Sequence, residues 1–206
     1  MSDKVNIAVL VSGGGTNLQA LIDAQKSGII TSGEIKLVIS GNKDAYALKR
    51  ADDAGIKTAV CNRKKLSQKE FEQNILKALM SENIEVIVLA GFMSILSADF
   101  VKQYPERIIN VHPSLIPSFC GKGFYGLKVH KAALDYGVKV TGATVHFVNE
   151  IPDGGKIIMQ KAVDVEEKDT PETLQKRVME GAEWEILPKS TEKICRQIKE
   201  QKNECI

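Results

Sequence analysis

The segment Ile108-Ile109-Asn110-Val111-His112-Pro113 puts two chemically able side chains at the end of an apolar run. Asn110 and His112 are two residues apart, so a strand sends both to one face. Pro113 then ends the hydrogen-bonding ladder. Polar groups that close a buried strand need partners or have work to do. An imidazole exchanges a proton near neutral pH, and an amide can donate to an oxygen that gains negative charge. The alternative is a hydrogen-bonded pair that ties down the next loop. A second candidate is Ser12-Gly13-Gly14-Gly15-Thr16-Asn17, directly after another apolar run. Glycines let backbone N–H groups approach an anion, and a following helix adds the positive end of its dipole. A phosphate on a small substrate is the natural ligand; the alternative is a tight turn with nothing bound. No Gly-Lys-Ser/Thr follows, and Asn17 and Leu18 fall where a G-x-G-x-x-G loop has its last glycine.

Two further segments join these. Ala90-Gly91-Phe92-Met93-Ser94-Ile95-Leu96 is apolar where a loop must lie. It reads either as the lining of a pocket for a flat organic ligand or as a loop packed under the next helix. Asp153 opens an Asp-Gly-Gly turn. Its plain role is turn chemistry; its functional role would be to orient His112 and raise that histidine's pKa. Spacing alone does not bring the two together. His130, on a helix expected from about Tyr125, and His146, in mid-strand, read as structural groups or as supports behind a site.

The elements that must position these residues alternate. Apolar runs at Val5–Val11, Ile35–Ser40, Thr58–Cys61, Val86–Ala90 and Arg107–Val111 read as strands. Helical spacing follows the glycine turn and recurs over Ala45–Ala54, Ser67–Glu82 and Ser97–Gln103, with Ser67 and Glu70 forming a capping box. Strands apolar along their whole length, alternating with helices, imply a parallel sheet covered on both faces. The character changes later. Val138–Asn149 and Lys156–Asp164 read as an antiparallel pair across a Pro-Asp-Gly-Gly loop, and Thr170–Lys199 as helix interrupted near Pro188.

Composition sets the class. The chain has 206 residues, 43% hydrophobic and 26% charged, as ordinary globular proteins do. This length fits one domain, residues 1–206, that buries roughly 70% of its unfolded surface. Lys and Arg number 28 against 26 Asp and Glu, a net charge of +2, which gives no electrostatic argument for nucleic acid or an anionic membrane. No apolar run approaches the ~20 residues of a membrane span. The N-terminus lacks a signal peptide's layout, so a cytoplasmic location is expected. Cys61, Cys120, Cys195 and Cys205 show no C-x-x-C or zinc spacing and are expected as free thiols.

Taken together the segments resemble the folate-dependent phosphoribosylglycinamide formyltransferases, from about Val5 to Pro188. The landmarks, in order, are VLVSGGGTNLQALIDA, SGNKDAYALKRADDAGI, VLAGFMSILS, IINVHPSLIPSF, TGATVHFVNEIPDGGKIIMQ and Glu183 before Pro188. The resemblance implies a Rossmann-like open sheet, parallel in its N-terminal half with antiparallel C-terminal strands, and helices on both faces. It implies transfer of a formyl group from 10-formyltetrahydrofolate to the amine of glycinamide ribonucleotide in purine biosynthesis, with no metal required. Asn110, His112 and Asp153 fall on the family's catalytic residues. Gly15, Thr16, Asn17 and Glu183 fall on positions that hold the ribonucleotide, and Met93, Ser94, Ile95 and Leu96, with Asn110, on positions that line the folate site. The partners implied are these small molecules, not nucleic acid or membrane, with the protein a monomer or homodimer.

Some positions depart from the family pattern. Ser94 and Gln68 stand where basic residues associated with folate's glutamate tail are common, although Lys69 is adjacent to Gln68. Pro152 replaces a usual Leu and Trp184 a common His. The same Asn-His-Asp set is similar to that of formyltetrahydrofolate hydrolases, and the catalytic half of methionyl-tRNA formyltransferases is similar too. A first strand at Val5 and an end at Ile206 argue against the extra domains those enzymes carry. A non-catalytic binding module would explain a phosphate loop and an apolar pocket, but not the three polar groups together.

Overall fold

The computed structural model describes residues 4–64 and 66–204. Seven strands form one sheet in the order β3-β2-β1-β4-β5-β6-β7. The first five, β1 (Val5–Val11), β2 (Gly33–Ser40), β3 (Lys57–Val60), β4 (Val86–Leu89) and β5 (Ile108–His112), run parallel. β6 (Val140–Phe147) and β7 (Ile157–Asp164) pair antiparallel beyond β5.

β1 shows why both faces are covered. Val5, Ile7, Val9 and Val11 enter one apolar cluster with α1 (Thr16–Lys26), α2 (Tyr46–Asp53) and α7 (Trp184–Glu204), while Ala8 and Leu10 enter another with α3 (Gln68–Ser81) and α4 (Ala98–Val101). Alternate residues of a strand point to opposite faces, so a strand sandwiched between helix layers is apolar throughout. α5 (Leu127–Tyr136) and α6 (Pro171–Val178) complete the first layer.

The capping box of α3 is present: Ser67 accepts from the Glu70 N–H, and Glu70 accepts from the Ser67 N–H at 2.8 Å. The C-terminal helix departs from expectation. It is not interrupted at Pro188, which lies inside α7. The ladder widens earlier, in a π turn over Met179–Glu183. Proline lacks the N–H that would close onto the carbonyl four residues back, and a widened turn one step upstream lets the helix pass through it. Cys61, Cys120 and Cys195 are free, and Cys205 lies outside the described residues. Among the described residues no helix is long and apolar enough to cross a membrane.

Candidate active site

The strand order turns back between β1 and β4, and the loops after these two strands open at the same end of the sheet, where open α/β sheets bind ligands. After β1 the chain enters the glycine turn. Gly15 sits in the left-handed region at φ 73°, and a Cβ there would lie 2.6 Å from the Ala47 Cβ. Only glycine lets α2 come this close. α1 then starts at Thr16 with no side-chain cap and no acidic residue in its first turn, which leaves first-turn N–H groups free for an anion. Asn17 donates to Glu183 at 2.6 Å, and both are more than nine-tenths buried. Burial pushes the Glu183 pKa up, and the Asn17 bond pulls against it. Thr16 Oγ1 faces the Met179 sulfur at 3.3 Å. The four residues expected around the ribonucleotide therefore fall into one neighbourhood, with Glu183 carried there by the π turn.

The loop after β4 is tied to the glycine turn, because the Met93 N–H donates to Ser12 Oγ at 2.9 Å. Phe92, Ser94, Ile95 and Leu96 line a cavity of about 130 Å³. Met93 does not line it; its backbone serves the tie to Ser12. The opposite wall is the 148–153 loop, and Asn110, His146 and Asp153 close the polar end. Gln68 donates to the Ile95 carbonyl at 2.9 Å and to Glu72 at 2.6 Å, and accepts from Arg63 at 2.7 Å. The residue at that departure from the family pattern thus braces the pocket loop.

Asn110 and His146 are direct partners across the antiparallel β5–β6 pair. His146 Nδ1 faces the Phe147 carbonyl at 2.8 Å, and its Nε2 lies 3.3 Å from Asn110 Nδ2. Asp153 comes in from the β6–β7 loop, its carboxylate 3.5 Å from both His112 Nδ1 and His146 Nε2. The loop is tight. Asp153 has φ 55°, a region Asp enters more readily than most residues. A Cβ on Gly155 would strike the Phe147 carbonyl oxygen. The Gly121 N–H donates to the Asp153 carboxylate at 2.8 Å. Burial opposes ionisation of Asp153, but His146, His112 and the Gly121 N–H outweigh it and hold the carboxyl below its ordinary pKa.

His112 corrects one expectation. Asp153 does pull its pKa upward, as does the Phe119 carbonyl 2.9 Å from Nε2. Burial is larger and leaves the imidazole below its ordinary value, with His146 adding to the depression. The ring is 4% exposed and stands behind Asp153, outside the cavity lining. His130 is buried too, and burial with the nearby His112 brings its pKa down to about 4. A larger cavity, about 380 Å³, lies between β7 and α7. It contains none of the Asn-His-Asp cluster. Among the described residues no group of three or more His, Cys, Asp or Glu is placed to hold a metal ion.

His146 is the member of this cluster that spacing did not single out. Its placement depends on the β5–β6 register, across a connection that includes α5. Arg50, which donates to the Gly14 carbonyl at 2.9 Å, was equally silent, because its helix only meets the turn in three dimensions.

The family model of the formyl transferases matches residues 5–191. Phosphoribosylglycinamide formyltransferase of Haemophilus influenzae is 43% identical over 183 residues, 88% of this chain and 83% of that one. The chicken trifunctional purine biosynthetic protein adenosine-3 is 47% identical over 188 residues, 91% of this chain, which spans only 18% of that longer protein. Among solved structures, glycinamide ribonucleotide transformylase 1 from Symbiobacterium toebii superposes with a TM-score of 0.88 at 37% identity, covering 96% of this chain and 90% of that one. Matched along nearly its whole sheet and through both loops of the cavity, the chain belongs to the formyl transferase family.

Proposed function

We propose that this protein is a phosphoribosylglycinamide formyltransferase, moving the formyl group of 10-formyltetrahydrofolate to the amine of glycinamide ribonucleotide in purine biosynthesis. The observation that carries this reading is the cavity whose apolar walls end on Asn110, His146 and Asp153 with His112 directly behind. Its volume, about 130 Å³, is below the ~300–1,000 Å³ of pockets that enclose whole ligands. It therefore takes the reacting end of the folate, and the rest lies between the two loops.

The chemistry follows from the four side chains. The neutral amine attacks the formyl carbon, and charge builds on the formyl oxygen. Asn110 has two amide hydrogens; one meets His146, and the other is available to that oxygen. Such a donor contributes about a hundredfold or more in rate. The amine becomes acidic as the new C–N bond forms. Asp153 lines the cavity, so its carboxylate is the first group the departing proton meets. His112, neutral in the free protein, is the base to which the proton passes. The same proton then goes to the folate nitrogen as its bond to the formyl carbon breaks. No acyl-enzyme is needed, because the amine is itself the nucleophile. At the other end the uncapped turn Gly15-Thr16-Asn17 receives the phosphate, and Glu183 the neighbouring part of the ribonucleotide. This reading treats residues 1–206 as one catalytic unit, monomer or homodimer, working in the cytoplasm without nucleic acid, membrane or metal.

The test is formyl transfer with and without glycinamide ribonucleotide. Transfer that requires the amine supports the reading. Formate release without it would make the protein a hydrolase, and tight folate binding without turnover a non-catalytic module.

A further inference from the structure

The glycine turn has a neighbour from outside its own segment. Arg50, on α2, donates from Nε to the Gly14 carbonyl at 2.9 Å and from Nη1 to Gln19 Oε1 at 3.0 Å, and its guanidinium lies 5.0 Å from the centre of the Tyr46 ring. α2 is also the floor of the turn: the Ala47 N–H donates to the Gly13 carbonyl at 3.1 Å. The guanidinium is thus fixed on three sides, with its remaining terminal nitrogen bonded to none of the described residues. A cavity of about 140 Å³ runs from this point along α1 to Trp184 and is walled by Thr16 and Arg50. Lys49, the adjacent cation on α2, is instead engaged by Asp53 at 2.9 Å.

The turn itself is short of partners. α1 has no side-chain cap. Asn17, 8% exposed, keeps its Oδ1 without a hydrogen bond, and the buried Trp184 Nε1 has none either. The unmet Trp184 Nε1–H, a donor on the cavity wall beside an uncapped helix start, suits an anion, whereas Asn17 Oδ1, an acceptor, suits a donor of the substrate such as a hydroxyl.

We infer that Arg50 is the positioning residue of a phosphate site at this turn, holding the Gly14 carbonyl back so that the turn's N–H groups face the anion, and adding the fixed positive charge that makes the site prefer a phosphorylated substrate. A lysine would not do the same work. The guanidinium fork can hold a carbonyl and still present a second N–H, whereas an ammonium is a compact point charge. The inference rests on the proposed formyl transfer for its substrate, but not for its phosphate.

The experiment has two readouts. In the first, inorganic phosphate is titrated into the wild-type protein, Arg50→Gln, Arg50→Lys and Lys49→Gln, and thermal stability is followed. Phosphate should raise the Tm of the wild type and of Lys49→Gln, and leave that of Arg50→Gln unchanged. In the second, formyl transfer is measured with glycinamide ribonucleotide and with its dephosphorylated riboside. Arg50→Gln should raise KM for the ribonucleotide about ten- to hundredfold, the range for a lost hydrogen bond to a charged group. Its kcat and the folate KM should stay within about threefold, and the riboside should react equally in both proteins. Arg50→Lys should fall between them and guards against a Gln variant that fails to fold. Equal loss with the riboside, or an undiminished phosphate response in both Arg50 variants, would overturn the inference. If the wild type binds phosphate but forms no formyl product, the functional reading fails while the Arg50 site stands.

Discussion

The two halves of the sheet supply different kinds of chemistry. The parallel strands β1 and β4 end in loops that offer backbone: the N–H groups at Gly15-Thr16-Asn17, and the Met93 N–H that locks the two loops together. The antiparallel strands offer side chains at fixed register, His146 opposite Asn110 and Asp153 on the turn that follows. β5 belongs to both halves and carries Asn110 and His112. Under the proposed reaction this divides the work: the parallel half holds the substrate by its phosphate, and the antiparallel half performs the transfer. Damage to the first half should therefore appear in KM and damage to the second in kcat.

The largest test of that division is in the antiparallel half. Asp153→Asn keeps the shape of the side chain and removes the charge between the two histidines. We expect kcat to fall about a hundredfold or more with the ribonucleotide KM little changed. Asp153→Asn combined with His112→Ala should be little worse than the worse single variant, because groups that act together are not additive. Additive losses, with circular dichroism confirming the fold, would return Asp153 to the role of a turn residue.

Next in size is the parallel half. Gly15→Val meets both the positive φ and the Ala47 Cβ at 2.6 Å, so the turn must deform. An increase of about tenfold or more in the ribonucleotide KM, with the folate KM much less affected, is the expected pattern, a factor of ten being worth about 1.4 kcal/mol. A larger effect on folate would erase the distinction between the halves.

A third test concerns stability at the boundary. His130 has no hydrogen-bond partner on either ring nitrogen, and its pKa is held down to about 4. An unfolded histidine titrates near 6.5. The folded value is the lower one, so the stabilisation of the neutral ring is complete above about pH 6.5 and is lost as pH falls toward 4. His130→Leu should cost little at pH 7 and should flatten the fall in urea midpoint between pH 6.5 and 4. Parallel curves for variant and wild type would show that other groups, His112 among them, carry the acid sensitivity.

The smallest expected effect is at the loop after β4. Gln68→Ala removes the bond to the Ile95 carbonyl and frees Arg63. A few-fold rise in folate KM with kcat unchanged is expected. Because Ser94 and Gln68 carry no charge, polyglutamate tails should add little affinity and salt should matter little. A strong tail preference that salt abolishes would assign that work to Arg63 or Lys69.

What could be read from the residues alone follows the same division. The glycine turn, the apolar loop after β4 and the shared face of Asn110 and His112 are properties of consecutive residues, and strand parity or helix spacing is enough to find them. His146 needed the β5–β6 register, which depends on how a long connection closes. The sign of the His112 shift needed its depth of burial: a nearby carboxylate suggests a raised pKa, and only the packed structure shows that burial outweighs it. The break placed at Pro188 was displaced for a related reason. Proline states that a hydrogen bond is missing, not where the helix will absorb the loss.

That widened turn also sets the phase of the C-terminal helix. One residue corresponds to about 100° of rotation and 1.5 Å of advance along an α-helix. Winding Met179–Glu183 as ordinary α-helix with every residue kept would turn everything downstream like a screw. Leu174 and Val178 would keep their contacts, but Ile186, Leu187, Ile194 and Ile198, which face the core, would swing toward its edge. The π turn is thus a phase joint: it lets one continuous helix present an apolar stripe before the joint and another after it, each aligned to a different part of the same sheet, with Glu183 at the place where the two alignments meet.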